Sequence, residues 1–347
     1  MMMKWHEVFS QPAAAALTVV GMAKNTGKTV TMNGLQQMLR QENYSLGLLS
    51  IGLDGEKLDA LTRLPKPAVL VEPGTLVATA EQVIEDPAKW ECLKKTAIHT
   101  PLGRIAVLRS GAWQKVILAG PSKNREIQEI VNELTAFGAE RIMIDGAFDR
   151  QSSVQPDVSD QVVLATGATL SKDLARLILL TKCRVEQLTL PQCDDVCREM
   201  IACGSAKIKR VSGKQVEAIA APTTLLSLAE WSSILQTGCD SLALCGAVAD
   251  EFAEALLKNA CDLQVIVQDG SKIFIKAELW NRLRQKNIIF KVQKPIHLLG
   301  VTVNPVFPGQ AGYDPEELLD ALGKELSPLP VIDMMRKVKY KGSDDKT

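Results

Sequence analysis

The sequence predicts an α/β protein built on a mostly parallel, doubly wound sheet, and three observations lead to this. Short apolar segments of strand length alternate with amphipathic segments of helix length along most of the chain. A glycine-containing turn at residues 21–27 joins the first strand to the first helix. The 347 residues are 46% hydrophobic, which is enough apolar material for a large buried core. We therefore expect parallel strands with helices as crossovers.

The first half of the chain contains most of the predicted elements. Residues 17–20 are predicted to form a buried strand, residues 29–40 a helix with one apolar side, and residues 45–51 the next strand. Pro101 and Gly103 separate two extended runs between Cys92 and Ser110, which predicts an antiparallel hairpin. The other predicted elements are strands at 68–71, 116–119, 142–144 and 161–165, and helices at 76–84, 127–137 and 171–181.

A second α/β unit is predicted after about residue 185, where the alternation begins again. No linker rich in Gly, Ser or Pro separates the halves, and we place the boundary near Thr189, giving domains at 1–189 and 190–347. The apolar run at 330–332 is expected to return to a sheet that is already built. The predicted elements of this half are strands at 241–245, 263–267, 288–292 and 298–303, and helices at 249–258 and 275–284.

The turn after the first strand has the composition of a phosphate-binding loop, Gly-Met-Ala-Lys-Asn-Thr-Gly-Lys-Thr at residues 21–29. Backbone N–H groups at the start of a helix favour phosphate oxygens. Lys28 is expected to reach the β- and γ-phosphates, and the Thr29 hydroxyl to enter a Mg²⁺ shell. A glycine turn without a ligand is the alternative. The residues expected to contact nucleotide here are Gly21, Lys24, Asn25, Thr26, Gly27, Lys28, Thr29 and Val30.

Two aspartates are candidate metal ligands. Asp145 ends an apolar strand, a position from which a carboxylate can hold Mg²⁺ beside a γ-phosphate, and we expect it to act in catalysis with Lys28. Asp54 follows the second strand between Gly52 and Gly55. Both are also ordinary turn aspartates in Asp-Gly pairs, so for each the structural alternative stays open.

Nucleotide choice is argued from a missing motif. The Asn/Thr-Lys-x-Asp sequence that reads guanine does not occur, since residues 181–184 are Thr-Lys-Cys-Arg. ATP is therefore favoured over GTP. Either the turn at 166–169 or Asn304 at the end of a late strand is expected to border the base.

Composition argues against several partners. The chain carries 40 basic and 40 acidic residues, so it has no net attraction for nucleic acid or anionic membranes. Aromatic residues make up 4%, too few for base-stacking surfaces. No apolar run reaches the ~18 residues that span a bilayer. The eight cysteines are expected to be reduced, as in a cytoplasmic protein.

The phosphate loop is one residue longer than GxxxxGK[ST], and in this it resembles loops of the dethiobiotin synthetase group of P-loop proteins. The resemblance implies a P-loop NTPase fold with ATP and Mg²⁺. Related ATPases that work as homodimers carry a second lysine five residues before the first, where this chain has Ala23, with Lys24 one position later. A cross-subunit role for Lys24 in a homodimer and an exposed or phosphate-facing lysine both stay open.

Several further segments resemble the P-loop subunit of lysine 5,6-aminomutase reactivating factors. This resemblance implies an ATP-dependent factor that renews the damaged adenosylcobalamin of an aminomutase, with the aminomutase or a second reactivase subunit as protein partner. The segments are residues 21–29, 52–56, 73–79, 99–103, 145–150, 165–171 and 301–305.

Three other functions remain alternatives. A ligase of the dethiobiotin synthetase kind would phosphorylate a small carboxylate or carbamate and would need no protein partner. A GTP-binding protein of cofactor assembly is suggested by the Lys-Asn-Thr-Gly-Lys-Thr core of the loop. A binding module with a degenerate loop would hold nucleotide without turnover. The large second half exceeds the needs of a small-molecule ligase and favours a switch that acts on a protein.

Overall fold

The computed structural model describes residues 16–52, 68–146, 159, 161–195, 198, 206–213, 215–259, 263–286, 288–336 and 338–339. The chain divides into two compact units. Unit 1 comprises Met1–Ile178 together with Leu298–Thr347, and unit 2 comprises Leu179–His297. Each unit contains its own sheet.

The strands are β1 (Ala16–Gly21), β2 (Leu46–Ser50), β3 (Val69–Val71), β4 (Leu76–Ala80), β5 (Trp90–Thr100), β6 (Gly103–Ser110), β7 (Gln114–Val116), β8 (Arg141–Asp145), β9 (Gln161–Gly167), β10 (Ile208–Ser212), β11 (Gln215–Ile219), β12 (Ser241–Leu244), β13 (Gln264–Val267), β14 (Ile289–Val292), β15 (His297–Asn304), β16 (Val331–Asp333) and β17 (Val338–Lys339). The α-helices are α1 (Lys28–Gln41), α2 (Asn124–Ala136), α3 (Leu174–Leu188), α4 (Leu228–Gln236), α5 (Asp250–Asn259), α6 (Ala277–Gln285) and α7 (Pro315–Leu326).

The main sheet of unit 1 is mostly parallel, as predicted. Within the described part of the chain its strand order is β17-β16-β15-β9-β1-β8-β2-β4-β6-β5. Strands β9, β1, β8, β2 and β4 run parallel, and β5 and β6 form the predicted hairpin at one edge. The chain reaches β2 and β4 on one side of β1 and β9 on the other, so the direction of winding changes at β1. Ligands of open α/β sheets bind at such a switch point, beyond the carboxyl ends of the strands.

Helices cover both faces of this sheet because alternate strand residues point to opposite sides. Ile142 and Ile144 of β8 pack with the apolar side of α2, whereas Met143 between them packs with the apolar side of α1. The buried residues of α1 are spaced as an amphipathic helix requires, with Met32, Leu35 and Leu39 on one side.

The prediction of a helix at residues 76–84 is wrong. Leu76–Ala80 is strand β4, buried at all five positions, and a short 3₁₀ turn follows at Glu81–Val83. A strand buried on both faces is apolar throughout, so its sequence shows no alternation that would separate it from a buried helix.

The strand predicted at 116–119 is displaced. Strand β7 ends at Val116 and pairs antiparallel with β3 in a separate two-stranded sheet. Beyond it, the Thr79 hydroxyl accepts a hydrogen bond from the Ala119 N–H at 2.9 Å and donates one to the Ile117 carbonyl at 2.9 Å. A side chain thus replaces part of the backbone ladder that a regular strand would need.

Unit 2 has a five-stranded sheet in the order β11-β10-β12-β13-β14, with β12, β13 and β14 parallel. Its core includes two aromatic pairs, Trp231 with Phe252 at a ring-centroid distance of 4.5 Å and Trp280 with Phe290 at 4.9 Å. The predicted strands and helices between 241 and 292 are present. The hairpin of β10 and β11 and helix α4 were not predicted, because their segments are short and only partly buried.

The division of the chain differs from the predicted domains 1–189 and 190–347. Residues 298–347 belong to unit 1, and β15 and β16 extend its sheet. The expected return of residues 330–332 to an existing sheet is therefore correct; this sheet is that of unit 1, and the return begins one strand earlier, with β15. The sequence does not indicate that β15 belongs to unit 1, because β15 follows β14 of unit 2 after a short turn and has the same apolar character.

Two other expectations can be compared with the structure. In the part of the chain that the structure describes, no helix is long and apolar enough to cross a membrane. Cys92, Cys183, Cys193 and Cys239 take part in no disulfide bond, as expected. Cys245 is disulfide-bonded, so the expectation of eight reduced cysteines is wrong at that position. The cytoplasmic location stays a prediction.

Candidate functional site

The loop between β1 and α1 has a backbone conformation that depends on its sequence. Asn25 has φ 62° and Gly27 has φ 92°, both in the left-handed region, which asparagine and glycine tolerate best. Gly21 also cannot be replaced freely, because a Cβ there would lie 2.8 Å from the Thr26 hydroxyl oxygen. The two glycines of the motif therefore shape the loop itself.

The N-terminus of α1 is arranged in a way that suits an anion. Gly27 is its N-cap, so no side chain caps the first amides, and the first turn holds no acidic residue. Helices α5 and α7 begin with acidic residues in the first turn, the usual stabilising arrangement. Since α1 instead begins with Lys28, the positive end of its dipole and a cationic side chain lie together.

Lys28 is directed at the end of the neighbouring strand β8. Its Nζ lies 2.9 Å from Oδ1 of Asp145 and donates a hydrogen bond to the Gly146 carbonyl at 2.8 Å. The two charged side chains are 15% and 9% exposed, so solvent screens this ion pair weakly. The structure thus brings together the two residues predicted for catalysis.

Asp145 ends β8 and is held in place by the two strands on either side of it. It pairs with Val19 of β1 and with Ser50 of β2, and the Ile51 N–H donates to its carbonyl at 3.0 Å. The next amide, of Gly146, donates to the Val19 carbonyl at 3.0 Å. The carboxylate therefore sits at the carboxyl edge of the central strands, on a backbone with little freedom to move.

The other predicted residues of the motif differ in their surroundings. Lys24 is exposed, and Thr29 and Val30 are half-buried in the first turn of α1. Val30 packs against the apolar cluster beneath α1, so its side chain contributes to the core. Thr26 is buried, and its hydroxyl donates to the Ala23 carbonyl at 2.9 Å.

Two of the three predicted metal ligands lie among the described residues. Asp54 lies outside the described residues, which leaves Thr29 and Asp145 of the three predicted ligands. Among the residues that the structure describes, no three His, Cys, Asp or Glu side chains form a group that could hold a metal ion. Mg²⁺ needs no such cage, since it is bound mainly through phosphates, water and one or two protein oxygens.

Asn304 lies against the loop, although it is 277 residues beyond Gly27 in the chain. Its side-chain amide donates to the Asn25 carbonyl at 2.9 Å, and its Oδ1 accepts from the Val306 N–H at 3.2 Å. Both polar ends of the side chain thus bond to backbone. The prediction that Asn304 lies in the site is consistent with this position, but these contacts are to the loop rather than to a base.

Three threonine hydroxyls connect the loop and the start of α1 to the sheet, and the sequence did not predict these contacts. The Thr31 hydroxyl lies 3.1 Å from the Gly27 carbonyl and 2.7 Å from the Thr302 hydroxyl. The Thr169 hydroxyl donates to the Lys24 carbonyl at 3.0 Å. Thr169 belongs to the turn 166–169 that was considered as a border of the base, whereas nothing in the sequence around Thr31 and Thr302 indicates that they meet.

No protein-family model matches this chain, and neither curated proteins nor solved structures include one that matches it.

Proposed function

We propose that the chain is a P-loop NTPase that binds ATP with Mg²⁺ at residues 21–29. The observation that supports this most directly is the ion pair between Lys28 and Asp145 at the carboxyl edge of β1 and β8. A lysine at a helix N-terminus and a strand-end carboxylate beside it are the two charged groups that a triphosphate and its metal require.

The loop supplies the phosphate-binding part of the proposed site. Left-handed Asn25 and Gly27 curve the backbone ahead of α1, and successive backbone N–H groups in such a conformation form a concave site for anions. The uncapped N-terminus of α1 adds its dipole. Lys28 contributes the cationic side chain.

The carboxylate supplies the metal-binding part. Asp145 and the Thr29 hydroxyl offer the hard oxygen ligands that suit Mg²⁺, and both belong to segments that meet at the same sheet edge. When bound, Mg²⁺ neutralises charge on the β- and γ-phosphate oxygens. Lys28 and the loop amides would then position the phosphates.

Binding by this arrangement requires an exchange of partners. Lys28 is paired with Asp145, so its ammonium group must leave the carboxylate to contact a phosphate. The same movement frees the Asp145 carboxylate for the metal side. Nucleotide binding is therefore expected to rearrange the side chains of Lys28 and Asp145 while the backbone of β8 stays in place.

We further propose that ATP turnover drives the action of this protein on a protein partner, as a reactivating factor for an adenosylcobalamin-dependent aminomutase. The support is the sequence resemblance together with unit 2, which has a sheet and an aromatic core of its own. Such a unit exceeds what the nucleotide site needs and provides surface for a partner.

Calorimetry with Mg·ATP and Mg·GTP tests the binding part of the proposal. Wild type should bind Mg·ATP, and Lys28→Ala should lose this binding together with the thermal stabilisation, about 2.7 kcal/mol at a ligand concentration 100 times Kd. Lys123→Ala is the matched control, because Lys123 is an exposed lysine beside the start of α2 whose ion pair among the described residues is with Glu126, three positions along the chain. Normal stabilisation of Lys28→Ala would exclude the loop as the site.

The partner part is tested separately by turnover. A reactivating factor should hydrolyse ATP slowly alone and faster when an aminomutase with inactivated cobalamin is added, and aminomutase activity should return only with ATP. ADP formation that instead depends on a small carboxylate, with no effect of the aminomutase, would indicate a ligase.

A further inference from the structure

Three consecutive carbonyls of the phosphate loop accept hydrogen bonds from side chains. In chain order, the carbonyl oxygens of residues 23–25 accept from the Thr26 hydroxyl at 2.9 Å, the Thr169 hydroxyl at 3.0 Å and the Asn304 amide at 2.9 Å. Only the first donor belongs to the loop. The other two follow β9 and end β15, so two separate parts of the sheet edge hold the loop from outside.

The direction of these carbonyls decides the direction of the amides. In a trans peptide the C=O and N–H groups point to opposite sides of the chain. Carbonyls of residues 23–25 that are fixed toward side-chain donors therefore direct the N–H groups of residues 24–26 to the other side. Amides whose directions are fixed in this way can bind phosphate with less reorganisation than those of a loop without such contacts.

Asn304 is itself held in place by close contacts, so its side chain can fix the position of the loop. A Cβ on Gly27 would lie 3.0 Å from the Asn304 Cβ, and a Cβ on Gly167 would lie 2.3 Å from the Asn304 carbonyl oxygen. Only glycines at both places allow this approach. The side-chain oxygen accepts from the Val306 N–H, which sets which end of the amide faces the loop.

We infer that Asn304 and Thr169 are positioning residues for the phosphate loop, acting on phosphate binding through the backbone and not on the base. The inference rests on the proposed function, since it assigns these two residues a part in the same site. It accounts for the residues outside the sequence motif that reach the loop, and it replaces the expectation that Asn304 borders the base.

Two ligands separate positioning from base recognition. We would measure the Kd of Mg·ATP and of Mg·tripolyphosphate, which has no base, by calorimetry for wild type, Asn304→Leu and Thr169→Val. Loss of one positioning hydrogen bond should weaken both ligands by the same factor, about tenfold. A loss confined to Mg·ATP would overturn the inference in favour of a base contact. Unchanged Kd values for both ligands would also overturn it, because neither residue would then affect binding.

The Kd values of conservative variants distinguish loss of these hydrogen bonds from general destabilisation of the protein. Thr169→Ser keeps the hydroxyl and should bind like wild type. In Asn304→Asp the introduced carboxylate repels the Asn25 carbonyl, and its protonated form donates again. The ratio of variant to wild-type Kd for Mg·tripolyphosphate should therefore fall toward one only as the pH approaches about 4, where an aspartate of ordinary pKa becomes protonated. A ratio independent of pH, or a Thr169→Ser variant as weak as Thr169→Val, would contradict positioning by these hydrogen bonds.

The same series distinguishes this inference from the proposal beneath it. If wild type binds neither ligand, the proposed function fails and the inference with it. If wild type binds both ligands and the variants bind equally well, the inference alone fails. Thermal unfolding of each variant without ligand confirms that it is folded, and Thr169→Val, at the loop's outer side, serves if Asn304→Leu does not fold.

Discussion

Lys28 Nζ lies 2.9 Å from Asp145 Oδ1, although the residues are 117 positions apart in sequence. The contact follows from the parallel pairing of β1 with β8, which brings the end of β8 beside the strand that leads into the loop. Because both side chains are mostly buried, each charge depends on the other for compensation. The pair therefore contributes to stability as well as to the proposed binding.

We expect a measurable coupling energy between these two charges. Lys28→Met leaves a buried carboxylate and Asp145→Asn leaves a buried ammonium, and each should lower the free energy of unfolding by about 1–3 kcal/mol. The double variant should lose less than the sum of the two single losses. Urea unfolding of the four proteins without nucleotide measures this cycle. Strict additivity would show that the ion pair contributes nothing in solution.

Removal of the Asp145 charge should separate phosphate binding from metal dependence. In Asp145→Asn, Lys28 has lost its competing partner, so ATP in the presence of EDTA should bind at least as tightly as to wild type. The gain in affinity on adding Mg²⁺ should shrink and turnover should fall, because the carboxylate ligand is missing. Calorimetry with and without Mg²⁺, together with phosphate release, gives both values. Unchanged Mg²⁺ dependence would remove Asp145 from the metal site.

Much of unit 1 could be predicted because its signals are local. The strand-loop-helix at residues 16–41 depends on a short apolar run, two glycines and a helical spacing of apolar residues, and all lie within one window of sequence. Asp145 was identified in the same way, as a carboxylate at the end of an apolar strand. Such features can be recognised without knowing which distant segments pack against them in the fold.

The remainder depended on pairing between distant segments. Strand β4 is buried on both faces because Leu76, Ala78 and Ala80 share an apolar cluster with α2, whereas Val77 shares one with α1. The contacts of Asn304 and Thr169 with the loop exist only because β15 and β9 are neighbours in the sheet. The membership of residues 298–347 in unit 1 has the same origin. Strand order is a tertiary property, and apolar strands of similar length do not specify it one by one.

Thiol chemistry should differ sharply among the free cysteines. Burial, and secondarily the charge of Glu186, raises the pKa of Cys183 to about 12, so at pH 8 on the order of one thiol in ten thousand is ionised. Cys92 is exposed on β5. Iodoacetamide at pH 8 should therefore label Cys92 in the native protein and Cys183 only after unfolding, as measured by peptide mass spectrometry. Equal labelling rates would show that the core of unit 2 opens readily.

The left-handed glycine of the loop provides the last prediction. Gly27→Ala introduces a Cβ at φ 92°, which costs about 1 kcal/mol in backbone strain, and this Cβ would also meet the Asn304 side chain at 3.0 Å. Gly74→Ala is the matched control, because Gly74 has φ 86° and open space around its Cβ position.

Both variants should lose similar stability from backbone strain, and Gly27→Ala should lose somewhat more because of the contact with Asn304. Only Gly27→Ala should lose Mg·ATP binding, since its Cβ displaces the loop from Asn304. Urea unfolding and calorimetry on the two variants separate strain from function. Equal Mg·ATP affinity of Gly27→Ala and Gly74→Ala would show that the close approach of the loop to Asn304 does not affect phosphate binding.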